Sequence, residues 1–94
     1  MSRFIYGTAE AASLTDYGQS TIRNKTKRVV KIISYFAIKL ESGDWLLDDK
    51  AIAYFIITKS RVKIEGYAST EEYALDKIYG YRNDEKLPLA LKLK

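Results

Sequence analysis

Five cations and one amide stand between positions 23 and 31: Arg23, Asn24, Lys25, Lys27, Arg28 and Lys31. Ser20 and Thr21 precede them, Lys39 follows, and no Asp or Glu occurs anywhere in residues 17–39. Lys and Arg donate to anionic oxygens, and the Arg fork and the Asn amide also match the edges of bases. A stretch with one sign of charge and interspersed hydroxyl and amide groups therefore suits phosphates and base edges. Other chemistries have less to stand on. The chain has no histidine and no cysteine. That removes imidazole acid–base catalysis, thiolates, disulfides and the usual zinc ligand sets. Asp48-Asp49 and Glu71-Glu72 are adjacent acid pairs, but each sits where a helix N-terminus favours negative charge. A carboxylate-and-lysine nuclease can be drawn from Asp44, Glu65 and Lys63, and nothing in their spacing singles them out. Gly66 and Gly80 are isolated turn or cap residues, not a phosphate loop. The chain is expected not to be an enzyme and to hold no cofactor, metal or small-molecule ligand.

The elements that must position these donors belong to one domain, residues 1–94. An apolar share of 47% and an aromatic share of 13% supply one modest core and exclude a disordered chain. The net charge is +4, and it is unevenly placed. The first 39 residues carry seven of the sixteen cations against two acids, Glu10 and Asp16. The remainder is almost neutral, so the positive field is local. Eight tyrosines against three phenylalanines place some rings at partly wet surfaces. No secretory signal is visible, and the longest apolar run, residues 51–57, is far below the ~20 residues of a membrane span. A cytoplasmic protein with no membrane partner is expected.

Along the chain, Arg3-Phe4-Ile5-Tyr6 is an apolar entry with strand character. Thr8 is a candidate N-cap for a short helix in which Ala11, Ala12 and Leu14 face inward. Asp16-Tyr17-Gly18-Gln19 is a break, and Ser20 is a second candidate N-cap. Ile22 is the only large apolar residue in the two turns that follow, so most of that helix faces out. From there the period changes: Val30, Ile32, Phe36, Ile38 and Leu40 recur at even positions and predict a strand. Glu41-Ser42-Gly43-Asp44 is a hairpin turn and Trp45-Leu46-Leu47 its return strand. Burial is favoured for Trp45. Asp48-Asp49-Lys50 caps residues 51–57, read as a helix rather than a strand. Residues 61–65 alternate as a short strand. Ser69 and Glu72 have capping-box spacing, and the helix they open ends at Gly80. Leu87, Leu89, Leu91 and Leu93 alternate as a half-buried edge strand.

This order resembles the winged helix-turn-helix of excisionases and MerR-type regulators. A first helix of the T-x-E-A-A-x-L kind is matched by Thr8, Glu10, Ala11, Ala12 and Leu14. A second helix beginning S-x-[IV]-R is matched by Ser20, Ile22 and Arg23. The wing and capped helix are matched by Gly43-Asp44-Trp45-Leu46-Leu47 and Ala51-Ile52-Ala53-Tyr54-Phe55. Residues 29–35 depart from the pattern, being longer and more apolar than the usual glycine-containing link. The resemblance covers residues 5–57. It implies an α+β fold: a small winged helix-turn-helix with a β-hairpin wing, extended at residues 58–94 by a strand-helix-strand unit that is a candidate oligomerisation element.

The resemblance implies sequence-specific binding of double-stranded DNA, as a small transcriptional regulator or an excisionase-type recombination directionality factor. The second helix would enter the major groove with Ser20, Thr21, Arg23, Asn24 and Lys25. Arg23 would face guanine and Asn24 adenine, while Lys27, Arg28 and Lys31 would meet phosphates. Lys39, Ser42 and Gly43 at the wing would touch backbone or minor groove. One such module reads few base pairs, so a homodimer or cooperative oligomer is expected, with residues 87–93 as the contact. The alternative is a small phage-type protein that binds and inhibits a host or defence protein without DNA. Tyr67, Tyr73, Tyr79 and Tyr81 would then form the binding surface, against the plainer reading that they pack the last helix on the sheet.

Overall fold

The core of the described residues is built around Phe36 and Phe55, both fully buried. Four helices and a three-stranded antiparallel sheet surround them in a computed structural model that describes residues 3–61 and 64–81. Strand β1 is Tyr6–Gly7, and helix α1 is Thr8–Thr15. Helix α2 is Gln19–Val30, followed by strands β2, Ala37–Lys39, and β3, Trp45–Leu47. Helix α3 is Asp49–Ser60 and helix α4 is Thr70–Tyr79. The sheet order is β1-β3-β2, so the return strand of the hairpin is central. Tyr6 and Ala37 both stand opposite Leu47, and Gly7 and Ile38 opposite Leu46. Ala37 and Leu47 therefore share the core face, which leaves Ile38 on the outer one.

Aromatic edges hold the centre. Phe36 meets Tyr54, Phe55 and Tyr79 at ring separations of 5.3, 5.8 and 5.7 Å, and Tyr17 meets Phe55 edge-on at 6.0 Å. Ala74 and Leu75 of α4 belong to the same core as Ile22 of α2. The tyrosines near the C-terminal end divide their roles. Tyr79 and Tyr81 pack against this core, while Tyr67 and Tyr73 pair edge-on with each other at 5.3 Å.

Helix ends follow local chemistry. The Asp48 side chain accepts the Ala51 N–H at 2.9 Å, as its position before residues 51–57 predicts, and α3 runs longer than that span. Ser69 accepts the Glu72 N–H at 3.2 Å, while the Glu72 carboxylate reaches back to the Ala68 N–H at 2.9 Å. Gly80 ends α4 at φ 68°, in the left-handed region that glycine enters without a Cβ penalty.

Several expectations are corrected. The strand predicted from Val30, Ile32, Phe36, Ile38 and Leu40 shrinks to Ala37–Lys39. Helical spacing is what governs burial there: Val29, Ile33 and Phe36 are inside, whereas Ile32, Ile38 and Leu40 are exposed. The Ile33 N–H bonds the Val29 carbonyl at 2.7 Å and the Phe36 N–H bonds that of Ile33 at 3.0 Å, so turns carry α2 into β2. Neither Thr8 nor Ser20 is an N-cap. Those positions belong to Gly7 and Gly18, with Thr8 and Ser20 already helical. Leu14, expected inward, is 54% exposed, and Thr15 is buried instead. Its hydroxyl donates to the Ala11 carbonyl at 2.7 Å. Trp45 is half-buried rather than core. Arg61 caps α3 in the left-handed region at φ 54°, and Glu65-Gly66 turns, so the described part of residues 61–65 forms no strand. The predicted strand at residues 87–93 lies outside the described residues.

Candidate nucleic-acid interface

Helix α2 is two-faced by virtue of its sequence spacing. Ile22, Thr26 and Val29 recur every three to four residues and are buried. Ser20, Arg23, Asn24, Lys27, Arg28 and Lys31 occupy the opposite face and are exposed. The cations Lys27 and Arg28 stand in the last turn, where the helix dipole favours them. At the other end the N-cap is Gly18, which makes no side-chain bond to the first turn.

The remaining candidates lie elsewhere. Thr21 and Lys25 are half-buried on the flank of α2. The Lys25 Nζ lies 4.0 Å from Glu71 of α4 and 5.4 Å from the Tyr17 ring centre, so it turns along the protein. Lys39, Ser42 and Gly43 are exposed on the β2–β3 hairpin. Gly43 has φ 90°, which a side chain rarely tolerates, and its N–H bonds the Leu40 carbonyl at 2.9 Å to close the turn. The Lys39 Nζ is 5.6 Å from the Trp45 ring centre.

Three residues outside the sequence-based candidate set organise this surface: Thr8, Gln19 and Asp44. The Arg23 Nε donates to Asp44 Oδ1 at 3.4 Å, and Nη2 donates to Thr8 Oγ1 at 3.4 Å and to Gln19 Oε1 at 3.3 Å. The Thr8 hydroxyl donates to the Asp44 carboxylate at 3.0 Å, and the Trp45 N–H donates to it at 2.9 Å. Desolvation pushes the Asp44 carboxyl up, but the Trp45 N–H, Arg23 and Thr8 outweigh it and hold the carboxyl below its ordinary value. One signal was present in the sequence, since Gln19 precedes Arg23 by one helical turn. The approach of Asp44 across the hairpin was not signalled. The stretch free of acids in sequence is thus not free of them in space: Asp44 meets Arg23, and Glu71 meets Lys25.

Of the carboxylate–lysine trio, Asp44 lies in this clamp, Glu65 in the turn after α3, and Lys63 outside the described residues. Among the described residues no three acidic side chains come together as a metal site, and no helix is long and apolar enough to cross a membrane. Compared with known proteins, the chain matches no family model, no curated protein and no solved structure.

Proposed function

We propose that this protein binds double-stranded DNA through α2 and the β2–β3 hairpin, as a small winged helix-turn-helix protein of the transcription-regulator or recombination-directionality kind. The observation that carries this reading is the solvent face of α2, where Ser20, Arg23, Asn24, Lys27, Arg28 and Lys31 line up without an acid on that helix. A helix kept only for packing has no need of an outer face whose own charges are all cationic, since ordinary surface helices intersperse both signs. Asn24 and Arg23 are the base-reading candidates, and Lys27, Arg28 and Lys31 the phosphate contacts. Lys39, Ser42 and Gly43 approach the backbone or minor groove from the hairpin. Thr21 and Lys25 flank the contact. The expected homodimer or cooperative oligomer follows from the small footprint of one module.

The test is a mobility shift on random duplex at low salt. With Lys27, Arg28, Lys31 and Lys39 on phosphates, the log–log salt slope is expected near about −3.6, from roughly −0.9 per contact. Absence of any shift at about 50 mM salt sinks the reading.

A further inference from the structure

We propose that Asp44 aims Arg23, so that sequence discrimination in this protein depends on a carboxylate that itself contacts no DNA. The inference rests on the duplex-binding reading above. A guanidinium offers five N–H donors in a rigid fork. In Arg23 the Nε and Nη2 edge is turned inward, to Asp44, Thr8 and Gln19. None of these contacts uses Nη1, and the side chain remains 47% exposed. The carboxylate is itself fixed from two elements, by the Trp45 N–H of β3 and by the hydroxyl of buried Thr8 in the first turn of α1. Helix α2, helix α1 and the hairpin thus meet at one acid.

That acid works against simple attraction. A carboxylate beside the cationic face of α2 lowers the affinity of the face for any polyanion. Its pair with Arg23 is half-exposed at 3.4 Å, a geometry that adds little stability. Beyond tying the hairpin to α1, what it supplies to Arg23 is direction. An unrestrained arginine next to a duplex goes to the nearest phosphate, which adds affinity and carries no sequence information. An arginine held by its inner edge presents one defined end to the groove, without the loss of side-chain freedom at the moment of binding.

The experiment compares wild type with Asp44→Asn on two duplexes, one enriched from a random-sequence pool by the wild type and one a scramble of the same composition. The ratio of affinities is expected to fall about tenfold in the variant, the scale of one base-reading contact. Scramble binding is expected to tighten, with a salt slope steeper by about 0.9 as Arg23 transfers to a phosphate. Asp44→Glu keeps the charge and displaces the carboxylate, so the ratio falls there as well. In an Arg23→Ala background, Asp44→Asn is expected to change the ratio no further. In the free protein, NMR of the Arg23 Nε–H is expected to show an ordered, slowly exchanging proton that becomes mobile in Asp44→Asn. A retained ratio overturns the inference and leaves DNA binding intact. Equal loss on both duplexes with an unaltered slope, or a mobile Arg23 Nε–H in the wild type, overturns it too. A wild type that shifts no duplex at all overturns the functional reading and this inference together.

Discussion

Thr26 sits fully buried in the middle of α2, and its hydroxyl finds no partner among the described residues. The Tyr79 hydroxyl is likewise buried with no partner among the described residues. A buried donor without an acceptor gives up its bonds to water and gains nothing in return. Thr26→Val keeps the branched shape and removes that group, so it is expected to stabilise the fold by about 1 kcal/mol, read as a higher urea midpoint with an unchanged slope. A lowered midpoint would show that the hydroxyl is bonded after all. The tyrosines also set an alkaline limit. Burial pushes the Tyr54 and Tyr79 phenols above their ordinary value near 10. Both are neutral below that pH in either state, so the stability is fully present there. Above it the unfolded chain ionises first, and stability falls as pH rises toward the elevated folded values. Circular dichroism across an alkaline titration checks this, and Tyr54→Phe with Tyr79→Phe is expected to move the midpoint upward.

At the scale of elements, the two faces of α2 make opposite demands on neighbouring lysines. Lys27→Ala is expected to weaken binding to every duplex alike and to flatten the salt slope by roughly 0.9. Lys25→Ala, whose ammonium faces Glu71 and the Tyr17 ring, is expected to leave the slope within error. Equal effects from both would mean that α2 is rotated about its axis relative to the duplex. The face itself was legible in the sequence, because Ile22 is a lone anchor among polar residues and forces the rest outward. The Asp48 and Ser69 caps, the Gly43 turn and the Gly80 stop were legible for the same kind of reason, since one residue type satisfies one local backbone need. Residues 30–40 were not. Their even positions happen to be apolar, yet Val29, Ile33 and Phe36 supply a helical set that the core selects. Alternation in sequence states which strand a segment can form, and tertiary packing decides whether it does. The Arg23–Asp44 clamp was illegible for a different reason: it is a long-range contact, made only once the hairpin folds against α1 and α2.

For the molecule as a whole, the division into a module at 5–57 and an extension at 58–94 does not divide the core. Ala74 and Leu75 of α4 share one core with Ile22, Phe36 and Phe55, and Tyr79 packs on Phe36. A cut after Ser60 removes that cover and exposes the central rings. With only ~0.05–0.15 kcal/mol of stability per residue to spare, the remainder is expected to lose its cooperative melt. In the intact chain, helix content and aromatic environment are expected to melt at one midpoint. Two separated transitions would instead support independent units.

Trp45 is the single tryptophan of the chain. It lies half-buried in β3, with its main-chain N–H on the Asp44 carboxylate and the Lys39 ammonium over its ring. The hairpin therefore carries its own optical reporter, already wired to the arginine clamp. Its emission should change when a polyanion draws Lys39 away or when Asp44 releases Arg23, so occupancy of this surface can be followed by fluorescence without attaching a label.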